Sequence, residues 1–312
     1  YFVDSSLGDA GNNGKDPDKA LATIDAAVGK CTANKGDIIV VMPGHAETIS
    51  TVAGIACDVA GITIVGVGSG TLKPTLTFSA AASDINVSVA NVTIKNIRMV
   101  SSVNNLVNFL DLDAGNFICE DCDFVTSSTT EALCFVDIAT TKDDFAFRRC
   151  KFIQPTDPDG TDSGASTGCF YFVDSENIYI EHCYFYGQFE SAIFHNKTTA
   201  AKNVWVRHCY GTQLLSGGEV FIQVANMEGG DVGSMFIVTG SADVAEANTW
   251  GTLSAKFFVS LNSSVGNDGG GAGNLTSITL SVPVTSVNAT GTLISDTQTA
   301  PAAITKMSGV IL

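Results

Sequence analysis

His45 and Glu47 stand two residues apart in Val41-Met42-Pro43-Gly44-His45-Ala46-Glu47-Thr48-Ile49, in a chain with only four histidines. An imidazole beside a carboxylate on one strand face is a candidate general acid/base pair. No second carboxylate or arginine is fixed beside them, so the expected reading is a Pro-Gly turn with both side chains in water. Hydrolysis of a glycosidic bond asks for two carboxylates roughly 5 to 9.5 Å apart, one with a raised pKa. Asp111, Asp137 and Asp174 meet that need in type. They close the phrases Phe109-Leu110-Asp111, Phe135-Val136-Asp137 and Phe172-Val173-Asp174, and Phe194-His195-Asn196 continues the series. The regularity itself points elsewhere, to Asx side chains capping backbone groups at a bend.

Metal chemistry has two candidate sources. Asp157, Asp159 and Asp162 surround a glycine in Asp157-Pro158-Asp159-Gly160-Thr161-Asp162, which loosely suits oxygen ligation of Ca2+. The loop lacks the distal bidentate glutamate of an EF-hand and is expected to be a solvated turn that lengthens one repeat. Ca2+ is the only cofactor these residues suggest. Cys119-Glu120-Asp121-Cys122 has no second half and no histidine cluster nearby, which argues against a thiolate zinc site. His182 and His208 lack a third ligand.

The elements that must position these residues belong to a repeat. Asn91-Val-Thr-Ile-Lys-Asn-Ile-Arg-Met99 returns at Asn116, Asp144, Asn177 and Asn203, at intervals of 25, 28, 33 and 26 residues. The shared pattern is [N/D]-Φ-x-Φ-x-x-C-x-F, with a degenerate copy from Gly61 to Gly66. Φ-x-Φ alternates with period two, as a half-buried strand does, and the two residues before Cys shift the phase as a bend would. Two or three short strands per unit of roughly 28 residues is the signature of an all-β right-handed parallel β-helix, whose coils stack about 4.8 Å apart.

Equivalent residues then form ladders along the axis. Cys122, Cys150, Cys183 and Cys209 share the position of Ile97 and read as an inward stack of free thiols, because a parallel in-register ladder rarely supplies the disulfide dihedral. The outward column between the two Φ residues runs Thr93, Ile118, Ala146, Tyr179, Trp205. The column after Cys runs Arg98, Asp123, Lys151, Tyr184, Tyr210, and the one before it runs Asn96, Asp121, Arg149, His182, His208. In the last two copies all three columns turn aromatic or imidazole. Tyr179, His182, Tyr184, Trp205, His208 and Tyr210 should therefore form one patch, suited to a subunit interface or to glycan stacking.

With 312 residues, 45% of them apolar, and 31 glycines against 7 prolines, there is material for a folded core with many short turns. A net charge of -16 repels phosphate backbones and anionic membranes. No apolar run reaches the roughly 18 to 20 residues of a membrane span. Neither nucleic acid nor membrane is an expected partner, and the chain reads as soluble. Residues 1–36 are expected to form an N-terminal cap, with Asp16-Pro17 starting an amphipathic helix over about 17–31 whose Leu21, Ile24 and Val28 make an apolar stripe. Residues 37–212 carry the coils, beginning with a strand at Ile38–Met42. Residues 213–312 should supply terminal coils and a β-rich cap that contacts a neighbouring subunit. They hold a glycine-rich loop at 266–273, alternation from Leu275 to Val287 and an apolar tail from Gly309 to Leu312.

The opening Phe2-Val3-Asp4, the polar loop from Gly8 to Asp16, Ala22-Thr23-Ile24 and the run from Gly36 to Gly44 together resemble the start of pectate-lyase-like right-handed β-helix proteins, in particular those of tailed-phage virions. The likeness covers roughly residues 1–210. It implies a homotrimer on the virion surface, outside the cell, with other virion proteins such as the major capsid protein as partners and glycans as a further contact. The family includes lyases, hydrolases and catalytically silent members, so fold alone does not decide activity. A lyase of the pectate type would need clustered carboxylates for Ca2+ beside a basic residue, and only Arg148, Arg149 and Lys151 cluster. The expectation is a non-enzymatic structural protein that decorates or stabilises a capsid. A tailspike-like glycan depolymerase or lyase, and a non-catalytic carbohydrate-binding adhesin, are the alternatives.

Overall fold

A computed structural model of the chain describes residues 1–155, 168–189, 192–196 and 201–213, together with the strand backbones at 220–224, 228–233, 236–239 and 258–260. The strands form three parallel sheets of 10, 8 and 7 strands, and the chain visits each in turn, which makes the molecule a β-solenoid. Sheet A holds Phe2–Val3, Ile38–Val41, Thr63–Gly66, Val92–Lys95, Phe117–Glu120, Phe145–Arg148, Glu176–Glu181, Lys202–Arg207, Glu228–Gly233 and Phe258–Ser260. Sheet B runs from Ala46–Ile49 through Thr75–Phe78, Arg98–Ser101, Asp123–Val125, Lys151–Gln154, Tyr184–Gly187 and Tyr210–Gln213 to Phe236–Thr239. Sheet C runs from Ile55–Cys57 through Ile85–Val87, Leu110–Leu112, Cys134–Ile138, Gly168–Phe172 and Ala192–Asn196 to Val220–Val224.

Each recurring phrase is one A strand, one bend and one B strand. The register places Thr93, Ile118, Ala146, Tyr179 and Trp205 side by side, and likewise Arg98, Asp123, Lys151, Tyr184 and Tyr210. Two ladders of left-handed backbone turn the corners. Asn91, Asn116, Asp144, Asn177 and Asn203, which open the phrase, have φ between 52° and 68°, and Asn96, Asp121, Arg149, His182 and His208 have φ between 53° and 57°. Asn and Asp tolerate this conformation because their short polar chains bond locally, which explains the [N/D] position. His182 and His208 also tolerate it, whereas Arg149 lacks that advantage and lies between two paired strands that fix its backbone.

Alternation sends every second strand residue into one continuous core. On sheet B the inward column contains Phe124, Phe152 and Phe185 in succession, whose rings stack nearly parallel at 4.7 and 5.0 Å. Phe170 meets Phe152 edge-on at 5.0 Å, and Phe135 does so at 6.1 Å. The thiol column forms as the repeat requires: Cys122, Cys150, Cys183 and Cys209 are buried and free, and Cys119 joins them with its Sγ 3.8 Å from that of Cys150. Burial pushes the Cys119, Cys122 and Cys183 thiols well up, so they behave as small apolar groups.

The N-terminal helix departs from expectation. Instead of one helix over 17–31 there is a 3-10 turn at Pro17–Lys19 and a five-residue helix α1, Ile24–Val28. Asp16 makes no capping bond; the cap is Thr23, whose Oγ1 accepts from Ala26 N–H. The cause is Leu21, which bridges to Val3 and exchanges backbone bonds with sheet A, Leu21 N–H to Phe2 O at 2.8 Å and Asp4 N–H to Leu21 O at 2.9 Å. A residue committed to a sheet edge cannot also sit inside a helix. Leu21, Ile24 and Val28 are nonetheless all buried, and α1 packs on the first strands of sheets A and C. Phe2–Val3 adds a strand outside Ile38–Val41, so the coils begin earlier than the repeat indicated. The expected glycine-rich loop, alternating segment and apolar tail beyond residue 260 lie outside the described residues.

Phe152 touches aromatic rings from two neighbouring turns, and Phe152→Ala would leave a cavity lined by Phe124, Phe135, Phe170 and Phe185. A loss of about 3–5 kcal/mol is expected, read as a lowered denaturant midpoint at unchanged slope.

Candidate functional site

His45 does not sit in water. It is 1% exposed, its Nε2 lies 3.1 Å from Glu47 Oε2, and the same oxygen accepts the N–H of Ile24 at 3.0 Å. The turn at Gly44 folds against the Leu72 loop and Thr75 N–H pairs with His45 O, which turns the imidazole inward. His45 Nδ1 is buried without a hydrogen-bond partner. The pair ties α1 to the first B strand and has no open side for a substrate.

The carboxylate ladder is real for two of its three proposed members. Asp111 and Asp137 are register partners on sheet C, between Asn86 and Tyr171. Asp174 is not in the ladder, because Phe170-Tyr171-Phe172 pairs with Val136-Asp137-Ile138 and leaves Asp174 beyond the strand at φ 52°. Nor do Asp111 and Asp137 cap a bend: both stand on strands and face outward. Asp113, two residues on from Asp111, completes a cluster the repeat did not reveal, although strand alternation puts it on the same side. Asn86 Nδ2 donates to Asp113 Oδ2 at 2.8 Å and to Asp111 Oδ2 at 3.3 Å. Partial burial, then the charges of Asp111 and Asp113, push Asp137 up to about 6, and burial followed by Asp113 raises Asp111. One rung separates the two backbones, about 4.8 Å.

The six aromatic and imidazole side chains come together in pairs. Tyr179 and Trp205 lie within 3° of parallel at 6.4 Å, His182 and His208 within 15° at 5.0 Å, and Tyr184 and Tyr210 within 4° at 5.1 Å. Tyr186, missed in the repeat because its column holds no other aromatic residue, extends the row at 6.4 Å from Tyr184. Tyr184 and Tyr210 remain 36% and 38% exposed, whereas Trp205 is half-buried with the Arg207 guanidinium 4.3 Å over its ring.

The basic cluster at 148–151 is largely spent on ladders. Sheet A carries Lys95, Glu120, Arg148, Glu181 and Arg207 in one outward column. Glu120 lies 2.9 Å from Lys95 and 3.6 Å from Arg148, and Arg148 lies 3.1 Å from Glu181. Arg149 takes both oxygens of Asp121 at 2.8 and 2.9 Å, and Lys73 holds Asp123 at 2.9 Å. Asn203 Nδ2 donates to Asn177 Oδ1, and Asn177 Nδ2 to Asp144 Oδ1, along the corner.

Among the described residues no group of three or more His, Cys, Asp or Glu side chains is placed to hold a metal ion. Asp157, Asp159 and Asp162 lie outside the described residues. No protein-family model, curated protein or solved structure matches the chain.

Asp137 gives up its proton near 3.8 when unfolded and near 6 when folded, so the native state holds the extra proton between those values. Its contribution favours folding at low pH and is lost as pH rises through about 6. Asp137→Asn should therefore raise stability at pH 8 by on the order of 1 kcal/mol after solvent screening, with less gain at pH 4, as read from paired denaturant midpoints.

Proposed function

We propose that the chain is a structural protein of a tailed-phage virion, a self-associating and trimeric β-helix that decorates or stabilises the capsid surface. The observation that supports this reading best is how the flank spends its polar groups. On sheet A and at both corners, charged and amide side chains bond along the axis to their own repeat equivalents, as in Glu120 with Lys95 and Arg148. Such ladders tie each rung to the next and hold side chains in place. A hydrolytic or lyase flank would instead converge groups from different columns on one open point. The resemblance of the opening residues to virion β-helix proteins supplies the setting, and the exposed tyrosine row supplies surface for a neighbouring copy.

A second reading, a glycan depolymerase, rests on Asp111 and Asp137. Carboxylates one rung apart approach the spacing of a retaining pair, and Asp137, pushed up to about 6, would be the acid.

Purified virions of the phage encoding the chain should contain it at a copy number comparable with the capsid subunit, measured by quantitative mass spectrometry. A handful of copies per particle, or none, overturns the decoration role. Release of reducing ends from polysaccharides by the wild type, abolished in Asp137→Asn, would favour the second reading.

A further inference from the structure

Sheets B and C present outward faces of opposite character. On sheet B the column Val100, Val125, Ile153, Tyr186 holds no charge over four successive strands. Beside it Tyr184 and Tyr210 add exposed ring surface, so this is a continuous apolar and aromatic stripe rather than scattered surface residues. On balance its charge is positive, with one carboxylate, Asp123, against three cations. Lys73 and Arg98 hold Asp123 at 2.9 and 3.6 Å, and among the described residues no carboxylate lies within ion-pair distance of the exposed Lys151 on the next rung. On a chain of net charge -16 such a face is unusual.

Sheet C is the reverse. Asp111, Asp113 and Asp137 crowd one another, and among the described residues no basic side chain lies within ion-pair distance of them. The amide of Asn86 is shared between two of the three. The two faces lie on different sides of the same rod and cannot meet within one copy.

Resting on the self-association reading above, we propose that copies pair heterologously, the sheet B face of one copy against the sheet C face of the next. The coils match when the rods lie parallel without axial shift. Cys134–Ile138 on sheet C and Lys151–Gln154 on sheet B belong to one turn of the chain, so Asp137 and Lys151 lie within about one rung of each other in height. The next turn pairs Gly168–Phe172 with Tyr184–Gly187, which brings Tyr171 level with Tyr184 and Tyr186. Charge thus meets opposite charge and ring meets ring. Pairing C with C would set aspartates against aspartates, and pairing B with B would leave Lys151 and the aspartates unmatched. A heterologous contact of this kind closes into a ring when the rotation permits, which is compatible with three copies.

The test uses the full chain in light scattering coupled to size exclusion. Lys151→Glu with Tyr186→Ser disables one face, and Asp137→Lys the other; the exposed Asp113→Lys replaces the latter if circular dichroism shows it unfolded. Each variant alone should be monomeric where the wild type is a closed oligomer, and an equimolar mixture should associate again, because each partner retains one intact and complementary face and the two exchanged charges are also opposite in sign. A mixture that stays monomeric, or variants that assemble like the wild type, overturns the assignment of faces while self-association stands. A wild type that is monomeric at every concentration overturns self-association itself.

Discussion

Parallel in-register pairing means that the neighbour of each residue along the axis is its own repeat equivalent, about 4.8 Å away. Most features of the described structure follow from what each side-chain type does when forced to meet itself or its substitute. Phenylalanine stacks at van der Waals distance, as Phe124, Phe152 and Phe185 do. Amides chain donor to acceptor, as Asn203, Asn177 and Asp144 do. Thiols pack as small apolar groups. Charge is the exception, since two carboxylates one rung apart repel by about 1 kcal/mol in water and about 3 kcal/mol at the effective dielectric of a protein surface. The column Lys95, Glu120, Arg148, Glu181, Arg207 avoids this by alternating sign at every step.

Against that rule Asp111 and Asp137 are anomalous. They stack like on like, with Asp113 adding a third charge, where asparagine at position 86 shows that a neutral residue fits the same column. The molecule retains an electrostatic conflict on the order of 1 kcal/mol that one substitution would remove. Proteins break such local rules at functional sites. A basic face of a second copy and a catalytic role both qualify. The self-association reading is preferred because the chain itself carries a basic counterpart, the exposed Lys151 on sheet B, within about one rung of Asp137 in height.

The solenoid and its columns were legible because five copies of one phrase fix the register without reference to any single residue. Where a single copy had to be interpreted, the reading failed for identifiable reasons. Phe172-Val173-Asp174 matches the earlier tripeptides in type, but it falls in the 33-residue interval, and the pairing of Phe170 with Val136 shifts it out of the ladder. The apolar spacing of Leu21, Ile24 and Val28 identified buried residues but not their helix, since spacing carries no information about Leu21 bonding to Phe2 and Asp4. His45 was misplaced for a similar reason: its burial depends on contacts from α1 and the Leu72 loop, both remote in sequence. Tyr186 and Asp113 were within reach, because alternation along a strand places each beside a residue already singled out.

A stack of parallel strands is itself sticky at an open end, where unpaired backbone groups template further strands. At the N-terminal end each sheet edge is met by something that cannot be extended as a strand. Gly14 and Leu21 bond to Phe2–Val3, Ser5 Oγ accepts Ala46 N–H, and Asp25 Oδ1 accepts Ala56 N–H. Glu47, the residue first suspected of catalysis, holds the start of α1 in place over this end through Ile24 N–H. Blocking the end with side chains and α1 removes the least specific route to association there. What remains for contact near the middle of the described chain is the flank, where side-chain columns can specify both partner and height.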